Sequence, residues 1–311
     1  MGNSDSKVAF STGFSKLASE EKIDAEDPIW ESLLGVDCDI SPDLIFESIS
    51  PTLIRQLKTE KPATLQILLW KIVDKMRAVN NLPHWEVAKS SNQSLLCVRL
   101  LTRLIPILIE DAGDLKTEKL FWAPGGIQAA DDWQTATVAS SKLPAASTSD
   151  EKTADDSEKE KGQPAHTISE DDIFSQKIIG KAILHSLMRL MFLHDFSTNV
   201  HDFSTNNGKV DASALPTTKV EPNCLWLGGV GVSKDLPIQS THSHFSPRVE
   251  CLRCLLCCLS GTLFQNLNEY KAAPSRWILH FTGGEVCYSA NLFCSMMSFV
   301  FQYDSVGWRK N

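Results

Sequence analysis

Apolar positions along the chain fall in helical stripes separated by polar gaps, and few stretches alternate with the period of two that a half-buried strand needs. From Pro62 onward, Leu65, Leu68, Leu69, Ile72, Val73, Met76 and Val79 follow i, i+3, i+4, i+7 spacing, which predicts one long amphipathic helix. Ser41-Pro42 and Ser50-Pro51 each set a capping hydroxyl before a proline at the first helical position, predicting two short helices in succession. Asn92 offers a cap for the next helix, whose inner face would hold Cys97, Leu101, Leu104, Ile105 and Leu108. Arg99 and Thr102 would then lie on its outer face, and Pro106 would kink or end it. Further on, Ser169 and Asp172 form a variant capping box ahead of a stripe of Ile179, Ile183, Leu187, Leu190 and Met191. A long helix is predicted from Ser246-Pro247 to about Tyr270, and another from Ser289 to Phe301. Trp277 to Phe281 fits a strand or a buried helical turn equally well.

The polar gaps divide these stripes into regions. Met1 to Asp27 is polar and predicts a flexible arm. From Ile127 to Ile168, alanine, serine, threonine and mixed charge dominate, and Asp150 to Lys161 has no apolar side chain except Ala154. Such a stretch buries too little surface to offset its ordering entropy, so it predicts a disordered linker in which only Trp133 could dock. His194 to Asn199 recurs unchanged at His201 to Asn206, a small tandem duplication far shorter than a solenoid repeat. Asn207 to Leu225 reads as loop, and Gly125-Gly126 and Gly283-Gly284 read as turns. The resulting plan is an arm over 1–27, a helical region over 28–126, a linker over 127–168 and a second helical region over 169–311. Its expected architecture is all-α: stacked antiparallel helices, an α-solenoid-like array interrupted by one long disordered loop.

Composition narrows the function classes. A net charge of −8 is the wrong sign for nucleic acid and weakly opposes unaided attraction to anionic lipid. The nine cysteines are odd in number and lack the spacing of a secreted disulfide framework, which points to a reducing compartment. Met1 to Glu20 has no apolar core of a secretory signal. The longest apolar stretches, Leu95 to Ile109 and Leu252 to Phe264, are short and carry Arg99, Arg103 or Arg253, so membrane contact is expected to be peripheral.

One N-terminal pattern supplies such a contact. Met1-Gly2-Asn3-Ser4-Asp5-Ser6-Lys7 is a myristoylation sequence in which Gly2, exposed by loss of Met1, accepts the acyl group and Ser6 completes the recognition pattern. A single myristoyl chain binds membranes only marginally, and Lys7, Lys16 and Lys22 are too sparse to form a polybasic second signal. A palmitoylated cysteine, a protein partner or avidity through self-association would have to provide it.

Other chemical candidates are weaker. Cys251-x-x-Cys254-x-x-Cys257-Cys258, preceded by His242 and His244, has metal-ligand spacing, and it supports an alternative function as a metal- or redox-binding regulator. In a helical stretch, however, Cys251, Cys254 and Cys258 share one face with Cys257 near its edge, the pattern of small thiols filling an interface. Gly228-Gly229-Val230-Gly231 with Ser233-Lys234 lacks the order of a phosphate loop. His185 reads as a packed or surface histidine, and Asp171-Asp172 as charge at a helix N-terminus. No hydrolase or metalloprotease motif is present, so neither an enzyme nor a cofactor is expected.

The ordered landmarks resemble the high-temperature-induced dauer-formation protein family, more distantly related to dymeclin. They are the Met1 to Lys7 start, the helices from Ser41 to Val79, Arg99 to Pro106, Phe121-Trp122 before a Pro-Gly turn, Trp226 with Gly229-Val230-Gly231, and Tyr303-Asp304-x-Val306-Gly307. The resemblance implies an N-myristoylated helical scaffold, peripheral on the cytosolic face of medial and trans Golgi membranes. Such a scaffold would act with other trafficking proteins in dense-core vesicle formation and cargo sorting. It carries over Gly2 as acyl acceptor and Ser6 as part of its recognition pattern, and it implies no active site. The linker, the duplication and the cysteine cluster depart from the family pattern, and the early end at Asn311 leads to the expectation of a C-terminally truncated second region.

Overall fold

The computed structural model describes residues 2–19, 23–35, 40–80, 82, 84–111, 114–128, 174–193, 196–198, 226, 242–272 and 274–302. Among them, every regular element is a helix. The elements are α1 (Gly2–Ser19), α2 (Ile29–Leu34), α3 (Pro42–Ser48), α4 (Pro51–Glu60), α5 (Pro62–Asn80), α6 (His84–Leu108) and α7 (Leu115–Trp122). They are followed by α8 (Ile179–Leu190), α9 (His242–Leu259), α10 (Leu267–Ala272), α11 (Arg276–Thr282) and α12 (Ser289–Gln302), with 3₁₀ turns at Gly126–Gln128 and Ser260–Phe264.

The Ser-Pro signals act as their chemistry requires. The Ser41 hydroxyl accepts the Leu44 amide at 3.3 Å and Ser50 accepts the Leu53 amide at 3.2 Å, each with proline at the next position. The whole predicted stripe of α5, Leu65 through Val79, is buried. α5 and α6 form the centre of the body. α8 packs on α5, α9 packs on α6, and α1 to α4 cover the other flank, so both helical stretches share one core.

Several expectations change. The N-terminal arm is not flexible over its described part: residues 2–19 form α1, which buries Phe10, Phe14 and Leu17. Three apolar residues at i, i+4, i+7 suffice to seat a helix on a neighbour even when the rest is polar. Asn92 lies inside α6 and does not cap it, because the helix starts at His84. Arg99 does not face outward; Leu95 to Leu101 are buried without interruption, since α6 has neighbours on opposite sides. Thr102 is half-buried and donates to the Val98 carbonyl at 2.9 Å. Pro106 precedes the end of the helix by two residues.

α9 begins at His242 with Pro247 inside it, and it ends at Leu259, well before Tyr270. Trp277 to Phe281 is helical, within α11. The glycine turns hold: Gly125, Gly126 and Gly284 have φ of 80°, 73° and 82°, the left-handed region where a Cβ is strained. Met1, Trp133, Ser169, Asp171, Asp172, the second copy of the duplication, the glycine run at 228–231 and the Tyr303 motif lie outside the described residues.

The predicted linker starts in ordered structure. Gln66 on α5 donates to the Gly125 carbonyl and accepts the Ile127 amide, both at 3.0 Å. The Gly125 amide donates to the Lys177 carbonyl at 3.2 Å. The described segments that end at Gln128 and begin at Phe174 are therefore joined to each other between Gly125 and Lys177.

Candidate functional site

The acyl-acceptor pattern leads directly into α1, whose first residue is Gly2. Further along, the Phe10 and Phe14 rings meet at 5.1 Å with a 58° tilt and are sealed from solvent. A Cβ built at Gly13 would come within 2.6 Å of Leu33, so the glycine sets the close approach of α1 to α2. At the far end, the Lys61 ammonium donates to the Ala18 carbonyl, placing a cation where a helix C-terminus presents unpaired carbonyls. Gly2 and Ser6, four residues apart on the α1 backbone, thus precede a docked helical segment.

The cysteine cluster lies along α9 and faces mainly inward. Cys251, Cys254 and Cys258 are buried on α9, Cys257 is half-buried, and Cys97 is buried on α6. Burial pushes the Cys251 and Cys258 thiols well above the usual range, Cys257 to about 11 and Cys97 to about 12. A metal ligand or nucleophile is a thiolate, and this setting disfavours one. Among the described residues no group of three or more His, Cys, Asp or Glu side chains converges on a point that could hold a metal ion.

Two polar clusters in the core carry no local sequence signature. His185 on α8 and His280 on α11 lie with ring centroids 5.6 Å apart, and Trp122 faces His280 edge-on at 6.1 Å. Neither ring nitrogen of His185 finds a hydrogen-bond partner among the described residues, while His280 Nδ1 is 3.2 Å from a Glu285 carboxylate oxygen. Burial lowers His185 to about 3, helped by the nearby His280, and lowers His280 to about 4 against the opposing pull of Glu285. Both rings are neutral at pH 7. The second cluster joins α6 to α9. Arg99 donates to the Ile40 carbonyl at 2.6 Å and its Nε lies 3.7 Å from Glu250, with both side chains at least nine-tenths buried. Arg253 approaches the same carboxylate at 3.4 Å from the solvent side.

A cavity of about 50 Å³ lies beside Glu118, Trp122 and Trp277, room for one or two waters. A more open groove between α2 and α5 holds two ion pairs, Lys75 with Glu31 at 3.0 Å and Lys71 with Glu26 at 3.8 Å, and is also lined by Asp27 and Asp74. Trp226 is buried, stacks on Phe192 at 5.7 Å and donates its indole N–H to the Met191 carbonyl at 3.0 Å. Among the described residues, no helix is long and apolar enough to cross a membrane.

Comparison with known proteins places this helical body. The sequence profile of the high-temperature-induced dauer-formation protein family, Hid1, matches residues 1–310. The chain belongs to the Hid1 family. Its relatives include Protein HID1 of Homo sapiens, 25% identical over 310 residues, which cover 99% of this chain and 34% of the human protein. Protein HID1 of Mus musculus is 24% identical over the same length. The Ubp5-interacting protein ftp105 of Schizosaccharomyces pombe is 34% identical over 125 residues, 39% of this chain and 13% of that protein. The chain spans about a third of the length of the full-length mammalian relatives it matches. No solved structure matches.

Proposed function

We propose that this Hid1-family chain is a peripheral scaffold of secretory trafficking, held on the cytosolic face of Golgi membranes by a myristoyl group on Gly2. The observation that carries the proposal is the Met1-Gly2-Asn3-Ser4-Asp5-Ser6-Lys7 start, continued by a helix docked through Phe10, Phe14 and Leu17. An acyl chain on such a helix has its position fixed relative to the body, so the anchor would also orient the protein on the membrane. Peripheral attachment agrees with the absence, among the described residues, of a helix able to span the bilayer. A scaffold works by presenting surfaces, and a family relative named as an interacting partner of Ubp5 is consistent with that mode. The work we assign is support of dense-core vesicle formation and cargo sorting, with no catalytic step.

The test is localisation in a secretory cell. Wild-type protein should colocalise with medial and trans Golgi markers, and Gly2→Ala should become largely cytosolic while keeping its helical circular dichroism. Equal Golgi residence of the two proteins would refute the anchor. A wild-type protein on a different membrane would refute the Golgi assignment and leave the anchor standing.

The alternative of a metal- or redox-binding regulator would use Cys251, Cys254, Cys257 and Cys258. Burial of Cys251, Cys254 and Cys258, which raises the Cys251 and Cys258 thiols well above their usual range, disfavours it. Stoichiometric zinc or iron in purified protein, lost on replacing these cysteines, would revive it.

A further inference from the structure

We propose that the small cavity framed by α7, the 3₁₀ turn Ser260–Phe264 and α11 is a docking site for a lysine side chain of a partner protein, one flanked by apolar residues. The cavity is lined by the carboxylates of Asp111, Asp114 and Glu118 and by the rings of Phe121, Trp122 and Trp277. Asp111 and Asp114 share the Lys58 ammonium at 3.2 and 2.9 Å, and Glu118 faces Arg276 at 3.3 Å. Set against those two cations, the three carboxylates leave a negative charge over. Burial raises the Glu118 carboxyl against the pull of Arg276, and Asp114 adds to the rise, so this carboxylate is not fully compensated. Gln265 lines the same cavity, and its buried Oε1 accepts no hydrogen bond among the described residues. A buried carbonyl oxygen left unpaired is costly, and a donor arriving from a partner would satisfy it.

Charge, size and surroundings select the occupant. An anion would be repelled by the surplus charge. An ammonium is drawn by the carboxylates, by the Gln265 oxygen and by the aromatic wall, where Trp277 meets Phe121 at 5.1 Å and Trp122 at 5.2 Å, both edge-on. Free space of about 50 Å³ suits the compact three-donor head of lysine better than the planar guanidinium fork of arginine. The surroundings are apolar. Leu115 adjoins Asp114, Leu263 and Phe264 lie between Gly261 and Gln265 of the lining, Leu267 follows two residues on, and all four are exposed. A free amine would leave these side chains in water, whereas a lysine set between apolar neighbours in a partner chain covers them. The net charge of −8 adds long-range attraction for a basic partner. Such a site gives the scaffold a partner contact and does not depend on the acyl anchor.

The test is calorimetric titration of the unacylated full chain with the peptide acetyl-Ala-Leu-Lys-Leu-Ala-amide, which leaves the myristoylation proposal untouched whatever the outcome. Binding should saturate with a Kd on the order of 100 µM and weaken several-fold on going from low salt to roughly 0.5 M. Norleucine in place of the peptide lysine should weaken binding about tenfold or more, and n-butylammonium, which lacks the leucines, should bind about tenfold more weakly than the peptide. Gln265→Met removes an unpaired acceptor, so it should leave circular dichroism and Tm unchanged while weakening the lysine peptide at least about threefold. Glu118→Gln should weaken it further, by about tenfold. No saturable binding up to about 2 mM peptide would overturn the proposal. So would a norleucine peptide that binds as well as the lysine peptide, or affinity indifferent to both Gln265→Met and Glu118→Gln. Butylammonium that binds as tightly as the peptide would overturn the protein partner in favour of a free amine.

Discussion

Replacing Arg99 by Met keeps most of its aliphatic volume but leaves Glu250 buried without its principal counter-charge. Arg99 is bonded to the Ile40 carbonyl at 2.6 Å and sits 3.7 Å from Glu250, whose side chain is only 10% exposed. The remaining cation, Arg253, is 59% exposed and 3.4 Å away, so water weakens its hold on the carboxylate. Loss of one partner of a buried pair costs about 3–5 kcal/mol, and the 3.7 Å separation and the help from Arg253 place this case at the low end, about 3 kcal/mol. In a chain of 311 residues, with an unfolding entropy of about 2.1 cal/mol/K per residue, that lowers Tm by roughly 5 °C. Glu250→Gln keeps the shape and removes the charge; it should cost less, about 2 kcal/mol, because Arg99 retains its carbonyl acceptor. The double variant removes both buried charges together and should cost clearly less than the sum, by about 1–2 kcal/mol of coupling. Thermal and urea unfolding followed by helical circular dichroism give the full cycle. Additive effects, or an Arg99→Met loss below about 1 kcal/mol, would show that no buried pair ties α6 to α9.

Other perturbations test other joints. Phe14→Ala should undock α1 at a cost of up to about 3 kcal/mol, seen as loss of amide exchange protection over residues 8–19 with the α5–α6 amides unchanged. Protection that survives would deny the docking. Ser50→Ala removes the acceptor of the Leu53 amide and should cost about 1 kcal/mol in unfolding experiments. A neutral result there would mean that Pro51 alone sets the start of α4. His185 is held near 3 and His280 near 4 when folded, so the unfolded chain binds more protons below pH 6.5. Stability is therefore at its plateau above pH 6.5 and falls as pH drops toward 4. His185→Phe should flatten that slope by up to about 1.4 kcal/mol per pH unit, and an unchanged slope would place the proton uptake elsewhere.

How much of this was legible depends on whether the decisive partner is near in sequence. Ser41-Pro42, Ser50-Pro51 and the Leu65 to Val79 stripe define their helices through residues within a few turns, and each behaves as read. The docking of α1 is not legible in the periodicity because its buried Phe10, Phe14 and Leu17 are diluted by polar neighbours and pack against other helices. Arg99 looked outward because periodicity assumes one buried face, whereas α6 is enclosed along Leu95 to Leu101 and draws its counter-ion from Glu250. The pairing of His185 with His280 was invisible for the same reason: the partner lies on another helix, in a stretch whose type the pattern left open. The proposal of Gly2 and Ser6 rests on a linear acylation pattern, whereas the burial of Phe10, Phe14 and Leu17 further along α1 depends on other helices and is not written locally.

The central claim is that a lipid on Gly2 holds this helical body to a membrane. Its most direct test is the intact mass of the protein purified from a eukaryotic host, combined with flotation on Golgi-like liposomes. Loss of Met1 with a gain of roughly 210 Da, the size of one myristoyl group, and flotation abolished in Gly2→Ala is the predicted result. A free or acetylated N-terminus, or flotation that Gly2→Ala leaves intact, would contradict it.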